Sequence, residues 1–129
     1  MTSISLTGSG SGLVLTASWQ DAAPATLTLR APGQDGLATT ERPLVEVLTS
    51  GHGRDWAGPR YIPTSIGQRL RHRSHNVTSA GNWQTLSLTQ ADASTGLEVT
   101  SHLSIHHEHL AVRSWTSVHN GGQIGRAHV

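Results

Sequence analysis

Nine histidines, eight carboxylates and nine arginines are the side chains through which this 129-residue chain could do chemistry. The carboxylates are Asp21, Asp35, Glu41, Glu46, Asp55, Asp92, Glu98 and Glu108. A paired-carboxylate hydrolysis needs two of them about 5 Å apart. Most lie in turns or on the polar side of alternating stretches, where solvation is their ordinary state. Asp55 is the exception. It sits in residues 51–63, which mix glycine, proline, charge and aromatics with neither helical nor strand period. Such a stretch reads as an ordered loop, the kind of place where binding and catalytic residues concentrate. An ion pair with Arg54 or Arg60 is the preferred reading of Asp55.

A metal site needs ligands that converge within a few ångström of one ion. His102 and His106 share a strand face but stand four residues apart, about 13 Å along an extended chain. His72 and His75 are three apart, which places them on opposite faces of a strand. His106 and His107 also point opposite ways, and only His107 and His109 converge, across a turn. The histidines are therefore expected on solvated polar faces, and neither a metal nor a cofactor is expected. Arg69, Arg71 and Arg73 share parity and form a basic stripe. Nucleic-acid binding would want more than the formal net charge of +1 and interleaved aromatics. A solvated face, or ion pairs to another domain, suits the stripe better. Without cysteine, disulfides, thiolate metal sites and cysteine catalysis are excluded. Neither a signal peptide nor an apolar span is visible, which points to a cytoplasmic protein away from membranes. Asn76-Val77-Thr78 fits the glycosylation sequon, a chance match without a secretion signal.

These side chains must be positioned by strands, because helical periodicity is nearly absent. Leu97, Val99, Leu103 and Ile105 share one parity, and Glu98, Thr100, His102, Ser104 and His106 the other. That period of two defines a half-buried strand. After His107 the parity flips, and Leu110, Val112 and Val118 carry the apolar face. Pairing Ile105 with Leu110 sets Leu103 against Val112 and Leu97 against Val118, and places Trp115 opposite Thr100 on the polar face. A strand through Leu86 and Leu88 precedes this hairpin; pairing Leu88 with Leu97 makes residues 83–119 a three-stranded meander. Ile4 and Leu6, residues 13–17, 26–29 and 44–48 read as further strands. The Gly/Ser run 8–12 reads as a hairpin turn, residues 31–40 as a turn-rich loop, and 66–77 as a mostly extended run. The fold class is all-β, an antiparallel sandwich.

No strand follows the Asn120-Gly121-Gly122 turn, so the sandwich is expected to lack its final strands. Residues 1–123 are then a truncated domain with an open edge, marginally stable and prone to associate. Residues 124–129 look like a translated frame of a sequencing-adapter oligonucleotide, a non-native tail.

The chain resembles the N-terminal domain of family 36 glycoside hydrolases, the bacterial α-galactosidases. The resemblance rests on Pro59-Arg60-Tyr61-Ile62-Pro63, Trp83-Gln84-Thr85-Leu86-Ser87-Leu88, Asp92 through Gly96-Leu97-Glu98-Val99, Val112-Arg113-Ser114 and Asn120-Gly121, in that order. It covers about residues 43–122. It implies a β-supersandwich that precedes a (β/α)₈ barrel, in an enzyme that removes terminal α-galactosyl groups with retention of configuration. The two catalytic carboxylates would lie on the barrel, outside this chain. The chain alone would be inactive and would support the barrel and a homo-oligomer. In the family an N-terminal domain loop approaches a neighbouring subunit's active site, which makes Arg54, Asp55 and Trp56 the substrate-proximal candidates. By residue type, Trp56 and Tyr61 could stack on a sugar, and packing of the loop against the sandwich is an equal reading for Trp56. Trp115 would contact another layer, such as the barrel. The rival expectation is a free-standing carbohydrate-binding sandwich.

Overall fold

Alternation of apolar and polar side chains fixes which surfaces of this chain must leave water, and the strands follow it. The computed structural model describes residues 1–33, 42–45, 48–49, 65–121 and 127–128. In order they form β1 (Thr2–Thr7), β2 (Val14–Gln20), β3 (Ala23–Arg30), β4 (Arg42–Pro43), β5 (Leu48–Thr49), α1 (Ser65–Arg69), β6 (Arg71–Ala80), β7 (Trp83–Asp92), β8 (Leu97–His106), β9 (Val112–Asn120) and β10 (Ala127–His128). One antiparallel sheet has the order β1-β2-β3-β4 and another β6-β7-β8-β9, while β5 pairs with β10. The fold is an antiparallel β-sandwich.

Leu6, Leu15 and Ala17 from the first sheet pack against Leu86, Leu88, Leu103 and Ile105 from the second. Leu97 and Val99 continue the apolar row of β8 and pack with Leu70, which follows α1. Every apolar residue that parity assigns to β8 is buried.

The faces of β7 and β8 are as the sequence predicts, but Leu110 lies in the loop before β9, Leu110, Val112 and Val118 are exposed rather than buried, and the registers differ. Leu86 pairs with Leu103 and Leu88 with Ser101, four residues from the expected pairing. The cause is a short turn. The Asp92 carboxylate accepts hydrogen bonds from Ser94 and Thr95, and Gly96 closes the turn at φ 75°. In the next hairpin Ile105 pairs with Val112 and Val99 with Val118, two residues later than expected. There His106 Nδ1 accepts the amides of Glu108 and His109, each at 3.0 Å, and these bonds shape the loop. Both differences are even, so no side chain changes face.

The meander has four strands, because β6 joins through the two-residue turn Gly81-Asn82, with Gly81 at φ 60°. The expected extended run begins instead in α1, whose five residues include Ile66. In the stretch 44–48, Leu44 and Val45 are not strand, and residues 46–47 lie outside the described residues. Of the expected tail, Ala127 and His128 pair with Thr49 and Leu48; residues 124–126 and Val129 lie outside the described residues.

The Gly/Ser run is a turn with a packing role. Ser11 Oγ donates to the His106 carbonyl at 2.8 Å, and Gly10 N donates to the His107 carbonyl at 2.6 Å. The β1–β2 turn is thereby pinned to the β8–β9 loop. A second tie crosses between the sheets. The register of β2 and β3 shifts between Ser18 and Gln20, which frees the Ala25 amide from the ladder. That amide donates to Gln90 Oε1 of β7 at 2.9 Å in a fully buried setting. A Gln90→Leu variant would leave the amide unpaired and is expected to lose about 1–3 kcal/mol of stability in a denaturant melt.

Candidate functional site

Polar chemistry gathers at two places, the outer face of the second sheet and the cleft beside β6.

On the outer face, hydroxyls and imidazoles stand opposite one another across the strands. Thr85 and Ser104 are hydrogen-bonded at 2.6 Å, Thr89 and Thr100 at 2.8 Å. His102 bridges Ser87 at 2.8 Å and Ser117 at 3.1 Å. The Trp115 ring stacks on His102 at 5.0 Å; the shifted register has moved it opposite His102 rather than Thr100. The Arg113 guanidinium lies 4.0 Å over the Trp83 ring, a cation–π contact that covers one aromatic face. Trp83 also meets His106 edge-on at 4.9 Å. A groove of about 410 Å³ opens on this side, lined by Ser74, Asn76, Ser87, Thr100 and His102 among others. Neutral hydroxyls, imidazoles and a half-exposed tryptophan make a surface for polar, uncharged ligands or for another protein layer.

Beside β6 the histidine expectation needs correcting. An extra residue at Arg73 makes a bulge between His72 and Ser74. Three residues of chain therefore advance the pairing by only two, so His72 and His75 share a face. Their ring nitrogens are 3.0 Å apart. Trp19 of the opposite sheet stacks on His72 at 4.2 Å, nearly parallel at 6°. At the hairpin it is His106, not His107, that approaches His109, with ring centroids 4.7 Å apart. No cluster of three or more metal-ligating side chains exists among the described residues.

The arginine stripe dissolves as well. Arg69 pairs with Asp92 at 3.0 Å, and Arg73 reaches Glu98 at 2.6 Å. Arg71 donates to the carbonyls of Gln68 and Leu70, both at 2.8 Å. These are contacts within the domain, beside a groove of about 600 Å³ lined by Arg69, Arg71, His72 and Asp92 among others. Burial works to raise the Asp92 pKa. The hydrogen bonds from Thr95, Arg69 and Ser94 outweigh it and hold the carboxyl below its ordinary value. Two of the four described carboxylates are thus tied into structural pairs.

Arg54, Asp55 and Trp56 lie outside the described residues, as does Tyr61. The aromatic contacts of Trp19 and of Trp83 went unforeseen. Nothing in the sequence marks the bulge at Arg73, whereas Gly81-Asn82 is a legible hairpin signal that would have added β6 to the meander. No family model, curated protein or solved structure matches this chain. Among the described residues, no helix is long and apolar enough to cross a membrane.

Burial, and then the neighbouring His75, hold the His72 pKa below the ordinary histidine value. The unfolded chain therefore binds a proton more readily than the folded one. The stability this group contributes is present above about pH 6.5 and is lost as pH falls through the depressed value. Thermal melts are expected to show a falling midpoint across that window. A His72→Phe variant, which keeps a ring against Trp19, should flatten the fall; an unchanged slope would show that other groups control it.

Proposed function

We propose that this chain is the non-catalytic N-terminal β-sandwich of a family 36 α-galactosidase, supporting a (β/α)₈ catalytic barrel and the assembly of the whole enzyme. The observation that carries the reading is the antiparallel sandwich in which the segment from Trp83 to Asn120 forms continuous neighbouring strands. The motifs from Trp83 onward fall on its turns and strands, while residues 59–63 lie outside the described residues. Trp83 opens β7, Asp92 and Gly96 make the β7–β8 turn, and Arg113 lies on β9. The pairing of Asp92 and Glu98 with arginines agrees with a supporting rather than a hydrolytic role for this layer. The polar outer face, with Trp115 46% exposed, suits contact with a further layer.

Purified chain is expected to release no product from an α-galactoside above background, and the reading frame beyond Gly122 is expected to encode barrel strands carrying two carboxylates. Turnover by the chain alone, or a frame that ends at Gly122, would overturn the proposal.

The hydroxyl-lined groove beside His102 favours a second reading, a free-standing carbohydrate-binding sandwich. Titration with galactose-containing oligosaccharides separates the two. Saturable binding lost in His102→Ala supports the second reading, and no binding at millimolar ligand removes it.

A further inference from the structure

We infer that β9 is a self-complementary edge through which two copies of this chain join, antiparallel and centred on Trp115, into one continuous sheet. The inference is independent of the proposed function. It begins with an edge whose protection is slight, a single charge at Arg113. β9 is nine residues long, exposed throughout, in uninterrupted register with β8, and without proline or lysine. Exposed strand edges are normally blunted by bulges, proline, charge or short length. The opposite edge, β6, has both a bulge and an ion pair at Arg73. From Val112 to His119, the free side of β9 pairs with no described strand.

The sequence of the edge names the occupant. Residues 112–118 read Val-Arg-Ser-Trp-Thr-Ser-Val, nearly the same in both directions about Trp115. The exposed apolar side chains of the strand are Val112, Trp115 and Val118, at 39%, 46% and 38%, spaced evenly about that centre. An isologous two-fold contact requires self-complementarity, each residue suiting the one it meets on the other copy, and a near-palindrome supplies it.

Backbone direction agrees. The His106 amide donates to the Ala111 carbonyl, so odd-numbered residues of β9 turn their backbone groups toward β8. Even-numbered residues turn theirs to the free side. In a pairing centred on Trp115, Val112 meets Val118 of the second copy and Ser114 meets Thr116. Each of these pairs exchanges two hydrogen bonds. Trp115 then meets Trp115 of the second copy at a position without hydrogen bonds, where side chains come closest and an aromatic pair contributes most. Arg113, the strand's sole full charge, faces Ser117 of the second copy, so like charges never meet.

Sedimentation of the full chain tests this first. Mass should rise from the 13.7 kDa monomer toward twice that value with concentration. Thr116→Pro removes one outward amide and none of the bonds to β8, so it should weaken association by about tenfold or more while leaving the melt cooperative. Register is read by cross-linking, with no native cysteine to interfere. W115C should form a disulfide dimer on mild oxidation, because directly opposed residues lie within disulfide range. S117C should not, because its two copies stand about 14 Å apart along the strands. A monomer at all concentrations, a dimer indifferent to Thr116→Pro, or cross-linking by S117C as readily as by W115C would each overturn the inference.

Discussion

Leu86, Leu88, Leu103 and Ile105 are dry only because Leu6, Leu15 and Ala17 of the other sheet lie against them. Everything else in the molecule depends on that contact between sheets. Each of the leucines and Ile105 contributes about 1.5–3 kcal/mol when fully removed from water. Neither sheet could keep its inner face buried alone. The polar ties are secondary but directional. The bond from Ala25 to Gln90 and the docking of Ser11 on the β8–β9 loop fix how one sheet sits on the other. Apolar burial selects the layers, and buried hydrogen bonds select their alignment.

The two sheets are unequal partners. The second has four strands of nine or ten residues, whereas the first has three of six to eight and a two-residue fourth. The smaller layer covers β7 and β8, whose inner faces are buried, and leaves β9 exposed along its length. At β6 the shortfall is partly met by Trp19, which reaches across to stack on His72. At β9 no described side chain does the same for Val112 and Val118. The exposure of that strand is therefore a consequence of layer geometry, and its symmetric sequence is what makes the exposure meaningful.

Parity was the most legible property of the sequence. Leu97, Val99, Leu103 and Ile105 announce their buried face without help from any other segment, because a strand alternates whatever its neighbour does. Register was less legible. It depends on loop length, and here loop length depends on side chains bonding to backbone: Asp92 with Ser94, and His106 with Glu108 and His109. Those bonds shorten one hairpin and displace the other by even numbers, so the faces survive while the partners change. The histidine pair was not legible at all. A bulge at Arg73 inverts the expected relation of His72 and His75, and no residue type there demands one. Of the residues singled out for function, Arg54, Asp55 and Trp56 belong to a stretch with no periodicity, where sequence reasoning has least purchase.

The same distinction between parity and register governs how β9 can act as an edge. Parity alone puts Val112, Ser114, Thr116 and Val118 on the inner side, and Arg113, Trp115 and Ser117 on the outer. It also dictates which amides face away from β8. A partner strand shifted by one residue would present Trp115 beside the inner valines and find its backbone groups out of phase. A shift by two would keep the phase but break the valine pairs, and in one of its two directions would set Arg113 nearer its own copy. Among antiparallel alignments, the one centred on Trp115 satisfies backbone, apolar and charge requirements together. That agreement between independent levels is what separates a specific edge from a merely unprotected one.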